Sequence, residues 1–170
     1  DDIALNLEQA AAGIGRAVAD GGEFVALPEA FAFLRREGQP IADVGALEAT
    51  ATGCLRDWAR EHGRWILGGS IPEANPGGDR IHNTTLLIDP SGEIVARYRK
   101  IHLFDIGLGA LDGSGEVFRE SDTYAAGEDV IVAQTPIGGL GLSICYDLRF
   151  PELYRALVDA GARWICVPSA

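Results

Sequence analysis

The sequence has no methionine, three cysteines and three histidines among its 170 residues, and no apolar run of bilayer length. Each shortage excludes something. A membrane-crossing helix needs roughly 20 apolar residues in a row, and the N-terminus lacks the basic flank and apolar stretch of a secretory signal. The expectation is therefore a cytoplasmic protein with no membrane partner. Cys54, Cys145 and Cys166 are odd in number and widely spaced, with no CxxC pair, which fits neither a disulfide framework nor a zinc site. They read as free thiols. His62, His82 and His102 stand isolated, without the grouping a metal requires, so no metal and no cofactor is expected. Basic residues are also scarce: 14 Lys and Arg face 25 Asp and Glu, and the net charge of −11 repels phosphate backbones with no cationic stripe to offset it. Nucleic acid is excluded as a partner.

What is present is the composition of one globular domain, residues 1–170, with 47% hydrophobic and 23% charged content. Apolar residues at Ile3, Leu7, Ala10, Ile14 and Val18 recur at helical spacing and predict a helix over 3–19, closed by Gly21-Gly22. Phe24 to Leu27 is a short buried-strand run ended by Pro28, which leaves Glu29 at a strand's C-terminal edge, where α/β sites form. A helix over 46–62, a strand over 65–69 and a surface loop at 75–79 follow. Two strands over 83–89 and 93–99, joined by Pro90-Ser91-Gly92, form a hairpin that ends at Lys100. From Ile101 to Gly127 periodicity is lost, and so long a structureless connection is expected to border the active site. Strands at 130–132 and 140–144 then make a hairpin with Cys145 at its exit; Pro151 opens a helix that Gly161 stops, and Trp164 to Val167 is one more strand. The chain opens in mid-helix pattern at Asp1 and stops as a strand ends, which reads as truncation at both ends.

Taken singly, the candidate residues are ordinary. A cysteine after an apolar strand is mostly inert core, a glutamate near a helix start favours the macrodipole, and a lysine is mostly solvated. Cys54 and Cys166 keep the inert reading. Cys145 differs because polar Tyr146, Asp147 and Arg149 follow it at once. Glu29, Lys100 and Cys145 at successive strand ends supply a base, a fixed positive charge and a nucleophile, the minimum set for acyl transfer. A serine hydrolase is disfavoured because Gly141-Leu142-Ser143-Ile144-Cys145 lacks the second glycine of the nucleophile elbow. Gly13-Ile14-Gly15 lies inside a helix and is no dinucleotide fingerprint. His102 is read as a hydrogen-bonding neighbour of Lys100. Arg149 could bind a substrate carboxylate bidentately or pair structurally with Glu152 or Asp147.

Three stretches carry a resemblance: Leu27-Pro28-Glu29-Ala30-Phe31, Tyr98-Arg99-Lys100-Ile101-His102-Leu103-Phe104-Asp105, and Ile144-Cys145-Tyr146-Asp147-Leu148-Arg149-Phe150-Pro151-Glu152-Leu153. Together they resemble the signature blocks of the nitrilase superfamily of carbon–nitrogen hydrolases. The Cys145 block is closest to the Nit branch, which includes deaminated glutathione amidase and omega-amidase. The resemblance implies an α-β-β-α sandwich whose protomers pair into a homodimer or a larger homo-oligomer, and a catalytic triad falling on Glu29, Lys100 and Cys145. It also implies a second, positioning glutamate at Glu120, a Tyr146 backbone N–H in the oxyanion site, and a small amide as substrate. Where relatives carry a proline-glycine turn, Gly107 to Gly115 is longer and glycine-rich. Alternatives of other kinds are a nitrilase or N-carbamoyl hydrolase, and an inactive scaffold, which would be marked by loss of a triad member.

Overall fold

A computed structural model describes residues 2–35, 41, 43–107 and 117–170. Helix α1 (Ile3–Ala19) starts on Asp2, whose carboxylate accepts from the Leu5 N–H at 3.1 Å. Helix α2 (Val44–His62) starts the same way on Asp43, bonded to the Ala46 N–H at 2.8 Å, and ends on Gly63 in the left-handed region. Between them runs strand β1 (Phe24–Ala26). Strands β2 (Trp65–Leu67), β3 (Ile71–Glu73), β4 (His82–Ile88) and β5 (Ile94–Arg99) complete a five-stranded sheet with β1.

The sheet is organised by β4. On one edge it pairs antiparallel with β2 near its end and with β3 near its start, so β2 and β3 lie one after the other along the same edge. On its other edge it pairs with β5, and β1 joins parallel to β2. Every residue of β4 is buried because the sheet is covered on both faces. Alternation sorts the side chains: Ile66, Leu86 and Ile88 pack with Leu47, Ala51 and Leu55 of α2, while Leu67 and Leu87 point the other way.

That second face meets another sheet. Strands β8 (Val132–Thr135) and β9 (Gly138–Leu142) form a hairpin, and β10 (Trp164–Cys166) lies parallel to β9. Leu140, Leu142 and Ile144 fill the space between the sheets with Leu67, Leu87 and Tyr98. Helix α3 (Pro151–Asp159) covers the outer side, with Leu157 against Gly141, where a Cβ would approach it to 3.2 Å. The described residues thus stack as helices, sheet, sheet and helix.

Three features of this fold differ from the sequence reading. Strand β3 carries Pro72 and was not expected; a proline is tolerated there because β3 pairs only with β4 and forms a sheet edge. The segment from Ile101 to Gly127 is not structureless, since β6 (Asp105–Gly107) pairs antiparallel with β7 (Val117–Arg119). The stretch between them, 108–116, which includes most of the glycine-rich segment, lies outside the described residues. In the β8–β9 hairpin the first strand begins at Val132, two residues beyond the expected start. No helix among the described residues is long and apolar enough to cross a membrane.

The ends of β1 and β2 approach closely at Gly69, which has φ of 52° and whose missing Cβ would lie 1.9 Å from the Pro28 carbonyl oxygen. A left-handed residue without room for a side chain must be glycine. Gly69→Ala is expected to cost about 2–4 kcal/mol of stability, from the conformational penalty plus steric displacement. The midpoint of urea unfolding measures this, and an unchanged midpoint would show that Pro28 yields freely.

Candidate active site

The strand ends that hold the sequence-predicted residues converge on one cavity of about 540 Å³. Glu29 enters from the segment after β1, Lys100 from the residue after β5, Glu120 from a short 3-10 turn after β7, and Cys145 from a second 3-10 turn, Cys145–Arg149, after β9.

Lys100 is the keystone by geometry. It is 2% exposed, and its Nζ donates to Glu29 Oε1 at 3.2 Å and to Glu120 Oε1 and Oε2 at 3.2 and 2.9 Å. Burial works against its charge, but the carboxylates of Glu120 and Glu29 outweigh burial and hold the ammonium above its ordinary pKa. It is also the sole lysine of the sequence, beside thirteen arginines. That contrast is a signal in the composition which the motif reading passed over. A compact ammonium with rotatable donors fits between two carboxylates where a planar guanidinium does not.

Glu120 is fixed from a second side, since its Oε2 accepts the Phe104 N–H at 2.7 Å. Glu29 Oε2 accepts the Ala170 N–H at 3.2 Å. A residue that sequence reasoning missed joins them: Asn83 Nδ2 donates to Glu29 Oε1 at 2.9 Å and to Glu120 Oε1 at 3.3 Å. Asn83 lies in the polar first half of β4, His82-Asn83-Thr84-Thr85, where it is one of several buried polar side chains rather than a lone exception.

Cys145 has φ of 46°, in the left-handed region, and lines the same cavity as Glu29. Burial foremost, then the charge and hydrogen bond of Glu29, push the thiol above its ordinary pKa, against the opposing pull of Lys100. At rest the sulfur therefore keeps its proton. Cys54 and Cys166, expected to be packed away, are half-buried like Cys145. Exposure does not separate the three; the Glu29 contact does. Ser143 is fully buried and its Oγ donates to the Cys166 carbonyl at 2.8 Å, which removes it from the cavity.

Three other expectations fare differently. Tyr146 follows Cys145, and its ring packs edge-on against Phe104 and Phe150 with centroids 5.0 and 5.5 Å away. His102 does not bond to Lys100: its N–H and Nδ1 both face Asp147 Oδ1, at 2.9 and 2.8 Å, because the chain turns after Lys100. Arg149 is exposed, lies off the cavity wall and forms no ion pair with Glu152 or Asp147, whose carboxylate is buried and already taken. The guanidinium groups on the wall belong to Arg35 and Arg119 instead, beside the apolar Phe33, Phe104 and Phe118.

This geometry has counterparts in known proteins. The carbon–nitrogen hydrolase family profile matches residues 1–170. The deaminated glutathione amidase of a Synechocystis species is 40% identical over 172 residues, covering 99% of this chain and 62% of that protein. Among solved structures, the NitFhit protein of C. elegans superposes with a TM-score of 0.87 at 36% identity, over 99% of this chain and 41% of that one. An amidase of Nesterenkonia superposes with a TM-score of 0.83 at 27% identity, covering 99% of this chain and 59% of that one, and in that structure the acetamide moiety of fluoroacetamide is covalently added at the active-site cysteine. The chain spans less than two thirds of the length of each of these relatives. With its full length matched by the family profile and its strand ends meeting as described, the chain belongs to the carbon–nitrogen hydrolase family of the nitrilase superfamily.

Proposed function

We propose that the complete protein is an amidase that cleaves the C–N bond of a small carboxylate-bearing amide through a thioester on Cys145. The observation that carries this reading is the meeting of Cys145, Glu29, Lys100 and Glu120 on the wall of one cavity, with the Lys100 ammonium bonded to both carboxylates. Glu29 takes the thiol proton as the sulfur attacks the amide carbonyl. The oxyanion that forms is met by the Lys100 ammonium and the Tyr146 backbone N–H. Collapse breaks the C–N bond, and the proton held by Glu29 leaves on the departing nitrogen. Water, losing its proton to Glu29, then cleaves the thioester to a carboxylate and restores the thiol. Glu120 and Asn83 touch both Lys100 or Glu29 and each other, and so hold the acid and the cation in register. No step needs a metal or organic cofactor.

The raised thiol pKa fits such a cycle, because a proton retained until substrate arrives keeps the cysteine from premature oxidation. Arg35 and Arg119 on the cavity wall supply the positive charge an anionic substrate needs on a protein of net charge −11. Deaminated glutathione is favoured over alpha-ketoglutaramate on two grounds, the volume of the cavity and the similarity to an enzyme named for that substrate. A homodimer or larger homo-oligomer and a cytoplasmic location complete the proposal.

Three measurements test it. Amide-bond cleavage by the complete protein should be faster for succinamate than for butyramide by at least about tenfold in kcat/KM, and should vanish in Cys145→Ala. Equal rates on both amides would remove the carboxylate from the proposal, and activity in Cys145→Ala would remove the thioester. Lys100→Ala should lower kcat by about a hundredfold or more and also lower the melting temperature, because two half-buried carboxylates lose their cation; near-normal turnover would make Lys100 structural. Glu29→Gln should abolish turnover yet lower the Cys145 pKa, since the charge that raises it is gone. Ultraviolet titration of the thiolate, referenced to Cys145→Ala, reads that shift, and an unmoved or higher midpoint would contradict the assigned contact.

A further inference from the structure

We infer that Asp147 is a positioning residue for the nucleophile, its buried carboxylate tying the turn that presents Cys145 to the strand that presents Lys100. The inference rests on Cys145 being the nucleophile.

A non-glycine residue at φ of 46° costs about 1–2 kcal/mol and persists only where its surroundings over-determine it. Few contacts do so here. Cys145 itself contributes one, its N–H donating to the Pro168 carbonyl at 2.8 Å. Several of the others pass through Asp147. Its Oδ2 accepts the Ile144 N–H at 2.9 Å, and its own N–H donates back to the Ile144 carbonyl at 3.1 Å, closing the turn around the nucleophile. The Phe150 N–H donates to the Asp147 carbonyl at 2.9 Å and ends the turn on the far side.

The same carboxylate reaches across to the first sheet. Tyr98, on β5 and two residues before Lys100, donates its hydroxyl to Oδ2 at 2.6 Å. His102, two residues after Lys100, places its N–H and Nδ1 on Oδ1. The Ile101 N–H donates to the Tyr98 hydroxyl at 3.2 Å. Lys100 is thus bracketed on both sides by groups held by one side chain, which also holds the residue before Cys145.

Asp147 is 0% exposed and Tyr98 1%, and neither they nor His102 lines the cavity. Burial, and after it the Asp147 charge, push the Tyr98 phenol far above its ordinary pKa, so it remains a donor at every working pH. The His102 ring lies flat on Phe150, with centroids 3.7 Å apart and planes 8° from parallel, which fixes its approach to Oδ1. A carboxylate buried without water is tolerated only with its lone pairs occupied. Four donors occupy them, and losing one leaves a lone pair of this buried carboxylate unfilled.

The test uses the complete protein with Tyr98→Phe, which keeps the ring and deletes one donor, and Asp147→Asn, which keeps the shape and loses the charge. For each, kcat and KM on one amide are measured with the rate of Cys145 alkylation by iodoacetamide, on samples whose circular dichroism is native. Tyr98→Phe should lower kcat about tenfold and Asp147→Asn about a hundredfold, with KM within about threefold and alkylation slowed in the same order, since a misplacement of about 1 Å costs that much. Variants that melt earlier but keep wild-type kcat and alkylation rates would overturn the inference and leave Asp147 purely structural. If Asp147→Asn does not fold, Tyr98→Phe decides alone by the same readouts. Alkylation needs no substrate, so a wild-type protein without amidase turnover would refute the proposed function while this measurement still judged the positioning.

Discussion

The site depends on one ammonium held between two carboxylates. Glu29 and Glu120 both turn an Oε1 toward Lys100 and Asn83, and without the cation two half-buried carboxylates at that separation could not both stay ionised. The three residues enter from the ends of different elements, so the pairing forms only when β1, β5 and the turn after β7 are in place. Electrostatics and topology therefore constrain each other. The nearby thiol is pushed up first by its own burial and then by the Glu29 charge of this cluster, against the pull of Lys100.

Backbone strain marks the same place. Among the described residues, the non-glycine positions at positive φ are Ala30 and Cys145, one beside Glu29 and the other the proposed nucleophile. Ala30 is held by the Ser70 hydroxyl, which accepts its N–H at 3.0 Å just after the Gly69 approach. Each distortion aims a side chain at the cavity that a relaxed strand would have directed along the sheet.

Much of this was legible in the sequence where the signal was periodic. The spacing of Ile3, Leu7 and Ile14 drew α1, the Pro90-Ser91-Gly92 turn drew the β4–β5 hairpin, and strand ends located Glu29, Lys100 and Cys145. What failed was inference from adjacency. His102 lies two residues from Lys100 but serves Asp147 across the sheet boundary, a pairing 45 residues apart that no local pattern announces. Arg149 lies four residues from Cys145, yet in a 3-10 turn of three residues per turn that offset points a different way. Asn83 was hidden because a strand buried on both faces has no alternation to set it apart. The β6–β7 pair was missed because two three-residue strands are too short to register against a glycine-rich background.

The scarcity of lysine has a consequence beyond catalysis. Within these 170 residues there is one ε-amine, and it is nearly sealed from solvent by the two acids that hold it charged. Acetylation, methylation or ubiquitin attachment at lysine would have a single address in this segment, and reaching it would require the cavity to open and the ammonium to lose its proton. A surface whose cations are all arginines carries its basic charge in a form that such modification does not touch. The segment is thereby insulated from the commonest chemical marks on proteins without any structure devoted to excluding them.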